Sequence, residues 1–136
     1  MSNAIKEKQL MITVDNRVGT LAEITATIAA SGINLLALCA YAVDNKGVIM
    51  FVSDNNNEAK KLLKSKRYDV REEEVIVVSL SNKPGALQNI SKKIADVGID
   101  LNLAYGSVDQ NGKTSRMVLI TEDNDSVLMA LNFPGK

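Results

Sequence analysis

The sequence predicts an α+β fold made of two copies of one βαββαβ module. The first observation is an Asn-x-x-Gly-x-Leu turn that occurs twice, with Gly19 and Gly85 placing the copies 66 residues apart (85 − 19). The second is that each turn joins a segment rich in β-branched residues to a segment whose apolar residues have helical spacing. The third is that similar residues continue to match at this offset beyond the turn. Together these observations indicate an internal duplication.

The first strand and first helix of each copy are predicted from composition and spacing. Gln9–Val14 and Val75–Leu80 are rich in β-branched and apolar residues, which favours strands. The apolar residues that follow recur at i, i+3, i+7 and i+8, which predicts helices buried on one face. They are Leu21, Ile24, Ile28 and Ala29 in the first copy, and Leu87, Ile90, Ile94 and Ala95 in the second. Gly32 and Gly98 are placed to end these helices as left-handed caps.

The rest of each copy predicts a hairpin and a second helix, followed in the first copy by a last strand. Apolar segments flank short polar turns, which favours hairpins. The predicted second strand, turn, third strand and helix are Leu35–Val43, Asp44–Gly47, Val48–Ser53 and Asn57–Leu63 in the first copy, and Leu101–Val108, Asp109–Gly112, Arg116–Thr121 and Asp125–Leu131 in the second. Tyr68–Arg71 is the predicted fourth strand of the first copy.

This order of elements is the split βαβ, or ferredoxin-like, arrangement, in which two helices cover one face of an antiparallel sheet. It divides the chain into one module at residues 5–74 and another at residues 75–136, with Arg71–Glu74 as their exposed join. The second module has almost no residues left for a fourth strand, and Pro134 suits a central strand poorly. Two alternatives follow: the last strand is lacking, or another segment completes that sheet.

Composition argues against several classes of function. Lys+Arg and Asp+Glu balance at 16 each, and aromatic residues are only 4%, so the charge and stacking platforms of a nucleic-acid binder are lacking. The chain has no His, which excludes a His general base and a His-ligated metal. We find no nucleophile–base pair, metal cluster or phosphate loop in the sequence, and we expect neither an enzyme nor a cofactor.

Size and the single cysteine add further expectations. A module of this length is near the lower limit for an independent hydrophobic core, so the two modules are expected to stabilise each other by packing together. No apolar run reaches the ~20 residues of a membrane span, and Cys39 is the only cysteine. A lone thiol fits a reducing compartment, so we expect a cytoplasmic protein without membrane contact. Cys39 itself is predicted to be a small buried residue.

The chain resembles the ACT domain family, whose members are small regulatory modules of βαββαβ fold. The resemblance lies in the turn Asp15–Leu21, in Gly32-Ile33-Asn34 after the helix, and in their second copies. Asn82–Leu87 has the usual N-x-P-G-x-L form, whereas Val18 takes the proline position in the first copy. The whole pattern is similar to stand-alone proteins of two ACT domains without a catalytic domain. This resemblance implies a non-enzymatic sensor that binds an amino acid or another small metabolite.

The resemblance also implies where the ligand lies, between the strand-to-helix turn of one module and the second strand of its neighbour. The implied turn residues are Asn16, Val18, Gly19, Thr20 and Leu21, with Asn82, Pro84, Gly85, Ala86 and Leu87; the implied strand residues are Leu36, Leu38 and Cys39, with Asn102, Leu103 and Tyr105. The chemistry agrees, because glycine permits close approach, unpaired helix N–H groups favour a carboxylate, and an Asn amide both donates and accepts. The alternative is that the Asn and Gly residues only shape the turns.

Side-by-side packing would produce two different sites. The turn Asn16–Leu21 would face Asn102–Tyr105, and the turn Asn82–Leu87 would face the more apolar Leu36–Cys39. We therefore predict two sites of unequal affinity, or one that is vestigial. A homo-oligomer, most simply a dimer, and a regulated enzyme are the expected protein partners. The competing function is an assembly module that pairs with a partner enzyme through sheet edges and binds no ligand.

Overall fold

The computed structural model describes residues 3–108 and 112–133, and by its internal contacts the chain divides into two compact units. The first unit is Lys8–Glu73; the second is Met1–Glu7 together with Glu74–Lys136. The elements are β1 (Asn3–Asp15), α1 (Thr20–Ala30), β2 (Leu35–Val43), β3 (Lys46–Ser53), α2 (Asn56–Ser65), β4 (Asp69–Ser81), α3 (Ala86–Asp96), β5 (Leu101–Val108), β6 (Thr114–Thr121) and α4 (Asn124–Asn132). Of the predicted turn Asp109–Gly112, residues 109–111 lie outside the described residues, as does Pro134.

In the first unit the strands lie in the order β2-β3-β1-β4, and β3 runs antiparallel to both of its neighbours. Leu10 and Ile12 of β1 and Phe51 of β3 form the centre of the core. Ile24 and Ile28 of α1 cover them, together with Ala59 and Leu63 of α2. Burying these apolar side chains between sheet and helices is the main stabilising contribution.

In the second unit the order is β1-β4-β6-β5, and β6 runs antiparallel to both of its neighbours. Its core repeats the first one, with Ile76 and Val78 of β4 and Leu119 of β6 beneath α3 and α4. The α+β fold of two βαββαβ modules is confirmed. None of the helices in the described part of the chain has the length and hydrophobicity that a bilayer crossing requires.

The second unit obtains its fourth strand from the start of the chain. Ala4 is only 2% exposed and belongs to the second core. Its N–H donates to Asn132 Oδ1 at 3.0 Å, and Asn132 Nδ2 donates to the Ala4 carbonyl at 2.7 Å. Lys6 forms ion pairs with Asp125 and Glu74. Of the two alternatives that the sequence left open, another segment completes the sheet.

The long strands β1 and β4 therefore each contribute one part to the first unit and another part to the second. They have the same length and the same 66-residue offset as the repeat (69 − 3), so Ala4 corresponds to Val70, which is buried in the first core. The N-terminal part of each strand is the last strand of one unit, and the remainder is the first strand of the other. The predicted join Arg71–Glu74 does contain the boundary between the units, and all of its residues except Glu73 are exposed. It lies inside β4, however, and Glu73 accepts a hydrogen bond from the buried Gln9.

The repeat extends to side-chain hydrogen bonds at the start of the second helix of each unit. Asn56 Oδ1 accepts from the backbone and hydroxyl of Ser53, while its Nδ2 donates to the Lys8 carbonyl. Asn124 makes the same bonds to Thr121 and to the Glu74 carbonyl. The residue before each helix caps it: the Asn55 side chain accepts from Glu58 N–H, and the Asp123 side chain accepts from Ser126 N–H.

The predicted buried face of the first helices is only partly correct. Ile24, Ile28, Ile90 and Ile94 are buried, but Leu21 and Leu87 are 43% and 50% exposed, and Ala29 and Ala95 are exposed as well. Each alanine directly follows a buried isoleucine and is therefore rotated about 100° around the helix, out of a narrow buried stripe. Each leucine lies in the first helical turn, next to the loop. Gly32 and Gly98 do adopt the predicted positive φ.

Replacing Asn132 by Ala tests whether the N-terminal segment closes the second unit. We expect Asn132→Ala to lower the free energy of unfolding by about 1–3 kcal/mol, because the Ala4 N–H and carbonyl lose their partners in a partly buried position. The measurement is urea unfolding, with Asn57→Ala, an exposed residue of α2, as the matched control expected within ~0.5 kcal/mol of wild type. Equal stabilities of the two variants would contradict the closure.

Candidate functional site

Both strand-to-helix turns have the same backbone geometry. Gly19 has φ +89° and ψ −4°, and Gly85 has φ +87° and ψ −11°. The N–H of Thr20 approaches the Arg17 carbonyl at 3.4 Å, and Ala86 N–H approaches the Lys83 carbonyl at 3.3 Å. These are the features of a type II turn with glycine at its third position. Since φ is positive there, the glycine is required by the backbone.

The helices that follow these turns begin without a side-chain cap. Neither Gly19 nor Gly85 can provide one, and none is made to α1 or α3. The first N–H groups of a helix have no intrahelical acceptor and carry the positive end of its dipole. At α1, the Glu23 N–H donates to the Gly19 carbonyl, while the backbone N–H groups of Leu21 and Ala22 remain available to other acceptors. Such a helix start can receive an anionic group.

In the first unit this helix start opens into a cavity of about 390 Å³. The cavity is formed by the end of β1, the turn, the first residues of α1, the end of β2 and the start of β3. Its lining residues are Val14, Asn16, Arg17, Gly19, Thr20, Leu21, Ala22, Ala40, Tyr41, Ala42, Gly47, Val48 and Ile49. All of them belong to the first unit. The volume lies at the lower end of the roughly 300–1,000 Å³ typical of small-molecule sites.

The β2–β3 hairpin fixes one wall of this cavity. Asp44 and Asn45 both have positive φ, as a two-residue type I′ turn requires. The Asn45 carbonyl accepts from Asn16 N–H at 2.9 Å, which ties the hairpin tip to the strand-to-helix turn. Lys46 donates to Asp15 at 2.7 Å, and this bond with its charge holds the pKa of the Asp15 carboxyl below its usual value. Because both groups are exposed, the ion pair orients the two side chains more than it stabilises the fold.

The polar side of the cavity consists of Asn16 and Arg17. Within the described chain, the Asn16 carboxamide makes no hydrogen bond, and the Arg17 guanidinium makes no ion pair. Arg17 is the only charged residue among those that line the cavity. Asn82, the counterpart of Asn16, donates from its Nδ2 to the Gly112 carbonyl at 3.2 Å. The alternative that the Asn residues only shape the turns therefore applies in part to Asn82. The side chain of Asn16 keeps both its donor and its acceptor for a ligand.

The second unit has a smaller space at its turn. That cavity is about 160 Å³ and is lined by Leu80, Ser81, Lys83, Ala86, Asn89, Ile90 and Lys93, without a residue of β5 or β6. The strand register places Met117 opposite Gly106, as it places Ile49 opposite Ala40. The Met117 side chain lies so close to Gly106 that a Cβ there would overlap its sulfur. In the second unit the Met117 side chain thus covers the place that corresponds to Ala40 in the first.

Comparison with known proteins identifies the family. A sequence model described as an ACT domain pair matches residues 5–129. The chain belongs to this family. ACT domain pairs are regulatory modules that generally bind small molecules such as amino acids.

Solved structures support the same fold. Protein BT0572 from Bacteroides thetaiotaomicron is 28% identical, with a TM-score of 0.86 over 95% of this chain and 88% of that one. The ligand-free regulatory subunit of aspartate kinase from Thermus thermophilus is 13% identical, with a TM-score of 0.68 over 98% and 97%. The corresponding Thermus flavus subunit is 14% identical, with a TM-score of 0.65 over 95% and 94%. A search of curated proteins finds no match.

The structure of this ACT domain pair brings together only part of the predicted site. Asn16, Gly19, Thr20 and Leu21 line the first cavity, whereas the side chain of Val18 is fully exposed and does not. Ala86 lines the smaller cavity; Asn82, Pro84, Gly85 and Leu87 belong to the same turn but not to its lining. The predicted β2 and β5 residues line neither cavity; they are Leu36, Leu38, Cys39, Asn102, Leu103 and Tyr105. Their pairing with the turns across modules stays a prediction.

Sequence reasoning missed the hairpin wall of the cavity. Ala40, Tyr41 and Ala42 lie further along β2 than the predicted strand residues, and Gly47–Ile49 belong to β3. The available signal was the Asp44-Asn45 turn, which determines the β2–β3 register and thus brings the ends of β2 and β1 to either side of the start of β3. Cys39 is half-buried with a free thiol, so its predicted full burial is wrong. It lies on β2, at one end of the strand order of its unit.

Exchanging the residues before the two turn glycines tests the geometry of the turns. We expect Val18→Pro to stabilise the fold by about 0.4–1 kcal/mol, because proline suits the second position of a type II turn and restricts the unfolded chain. The Val18 N–H makes no hydrogen bond within the described residues, so none is lost. Pro84→Val should destabilise by a similar amount. Both effects are measured by urea unfolding, and a destabilising Val18→Pro would contradict the shared geometry.

Proposed function

We propose that this ACT domain pair is a non-enzymatic sensor that binds an amino acid at the cavity of its first unit. The observation that carries the proposal is that this cavity combines an uncapped helix start with an Asn16 carboxamide and an Arg17 guanidinium that, among the described residues, have no hydrogen-bond or ion-pair partner. These are the groups that a zwitterion needs, and each would otherwise contribute little to the fold. The family supports the ligand class.

The ligand backbone would be bound at the turn. Its α-carboxylate would accept from the first N–H groups of α1 or from Arg17, since hydrogen bonds to charged groups are the stronger ones. Its α-ammonium would donate to the Asn16 side-chain oxygen. Gly19 has no Cβ, and nothing in the described chain lies within 4 Å of where one would stand. A ligand can therefore approach the backbone of the turn closely.

The two units are proposed to contribute unequally. Of the two cavities at the turns, the larger lies in the first unit, where the Asn16 carboxamide makes no hydrogen bond within the described residues. In the second unit Asn82 is engaged and Met117 packs against Gly106. We therefore propose one strong site per chain. Binding would bias the protein toward the conformations that hold the ligand, which a partner enzyme could sense. The likeness to aspartate kinase regulatory subunits offers only a fold-level analogy for such a partner.

A thermal-shift screen against the proteinogenic amino acids tests the sensor function. Binding to the folded state alone raises the melting temperature, and we expect at least one amino acid to do so at millimolar concentration. Asn16→Ala should weaken this ligand by about 10- to 100-fold in calorimetry, because a hydrogen bond to a charged group is lost. Asn82→Ala is the matched control and should change the affinity little. No shift with any amino acid would contradict the sensor.

Assembly through strand β2 is the second candidate function. This strand is at one end of the strand order and contains no charged residue over Leu35–Val43, and Leu38, Tyr41 and Val43 are exposed. Edge strands that do not pair are normally protected by charge or by a covering element. We propose that a second copy of the chain pairs with β2, which would give the expected homodimer.

Leu38→Lys tests this assembly. A lysine on an edge strand opposes pairing, so we expect light scattering to find a dimer for wild type and a monomer for the variant. Met129→Lys removes an exposed apolar side chain from α4, more exposed than Leu38, and should remain dimeric. A monomeric wild type, or a dimeric Leu38→Lys variant, would argue against pairing through β2.

A further inference from the structure

We infer that the ligand of the first unit has an uncharged aliphatic side chain, of about the size of valine or leucine. This inference rests on the proposed function, and it concerns the part of the cavity beyond the polar groups. Once Asn16 and Arg17 are assigned to the ligand backbone, most of the remaining lining residues are aliphatic or glycine, and Thr20 and Tyr41 are the two that carry hydroxyl groups. The Thr20 hydroxyl already donates to the Arg17 carbonyl at 3.1 Å. The chemistry of those walls determines which side chain they accept.

Apart from Thr20 and Tyr41, the side chains that line this part are aliphatic. Val14 ends β1, Leu21 lies in the first turn of α1, and Ile49 lies on β3 with only 4% of its surface exposed. Ala40 and Ala42 of β2 pair with Ile49 and Gly47 of β3, and their side chains are small. An aliphatic ligand side chain would remove this apolar surface from water, which is favourable in proportion to its area.

Charged side chains do not suit these walls. No acidic residue is among those that line the cavity, so the ammonium group of a lysine ligand would lie against apolar walls without a counter-ion. An acidic ligand has two carboxylates, but Arg17 is the only cationic residue in the lining. The second carboxylate would then face Val14 and Ile49. Placing an unpaired charge against apolar surface is unfavourable in both cases.

The size of the space is determined by residues that the second unit does not share. Gly47 is packed closely against β1, because a Cβ there would lie 3.1 Å from Val14 Cγ2. At the position of Ile49 the second unit has Met117, and at the position of Ala40 it has Gly106, which that methionine covers. Ala40 and Ile49 are therefore the residues that we assign to side-chain selection.

Calorimetry with wild type and two variants tests the inference. For wild type we expect valine, leucine and isoleucine to bind at least about tenfold more tightly than lysine, arginine, aspartate or glutamate. Ala40→Leu should weaken leucine binding by about tenfold or more and alanine binding less, because the new side chain occupies the aliphatic space. Ala104→Leu is the matched control, since Ala104 is an exposed alanine on β5 that lines neither cavity, and it should bind as wild type does.

A second variant keeps the test valid if Ala40→Leu fails to fold, which urea unfolding would reveal. Ile49→Val enlarges the cavity by one methylene, and it should raise the affinity for leucine relative to valine. The inference is overturned if a charged or aromatic amino acid binds best, or if both variants keep the wild-type order of affinities. Those results would leave the sensor function intact. Failure of every amino acid to bind wild type would instead contradict the proposed function itself.

Discussion

The architecture depends on one constraint, which is that β1 and β4 each contribute residues to both units. Glu7 and Lys8 belong to different units although they are neighbours in one strand, and so do Glu73 and Glu74. The core of the first unit needs Val70 at its margin, and the core of the second needs Ala4 at the corresponding place. The first unit is one continuous stretch, Lys8–Glu73, whereas the second unit combines the start of the chain with Glu74–Lys136. A domain of this size has a small core, and sharing strands adds buried apolar surface without lengthening the chain.

The same strands position the candidate site. β1 delivers Asn16 and Arg17 at its C-terminal end, where the hairpin tip is held by the bond between Asn16 N–H and the Asn45 carbonyl. Local chemistry then differentiates the copies. The two turns have nearly the same glycine angles, yet one carboxamide bonds to the neighbouring loop and the other does not. Conserving the backbone while varying the side chains that line the space gives one framework two different recognition surfaces.

Much of the fold could be predicted from the sequence because its signals are local. The spacing of Ile24 and Ile28, the left-handed caps at Gly32 and Gly98, and the Asp44-Asn45 turn are each determined within a few residues. The dual role of β1 could not be predicted, because it depends on where Ala4 packs, 128 residues away from Asn132. The cavity was only half predicted for the same reason. Its turn carries a motif, but Ala40 and Ile49 line it through strand register, and a small residue in a strand has no distinctive pattern.

The reciprocal bonds between Ala4 and Asn132 also give the chain a nearly cyclic connectivity. Along such a ring, β1 follows α4 in the same way that β4 follows α2, so each βαββαβ copy leads into the next. The position of the N- and C-termini along this ring is then a secondary property of the fold. A permuted chain joined near Phe133 and Asn3 and opened at Lys66-Arg67, after α2, would retain every strand neighbour with the order of the copies reversed. The duplicated sequence thus corresponds to a connectivity in which the end of each copy leads into the start of the other.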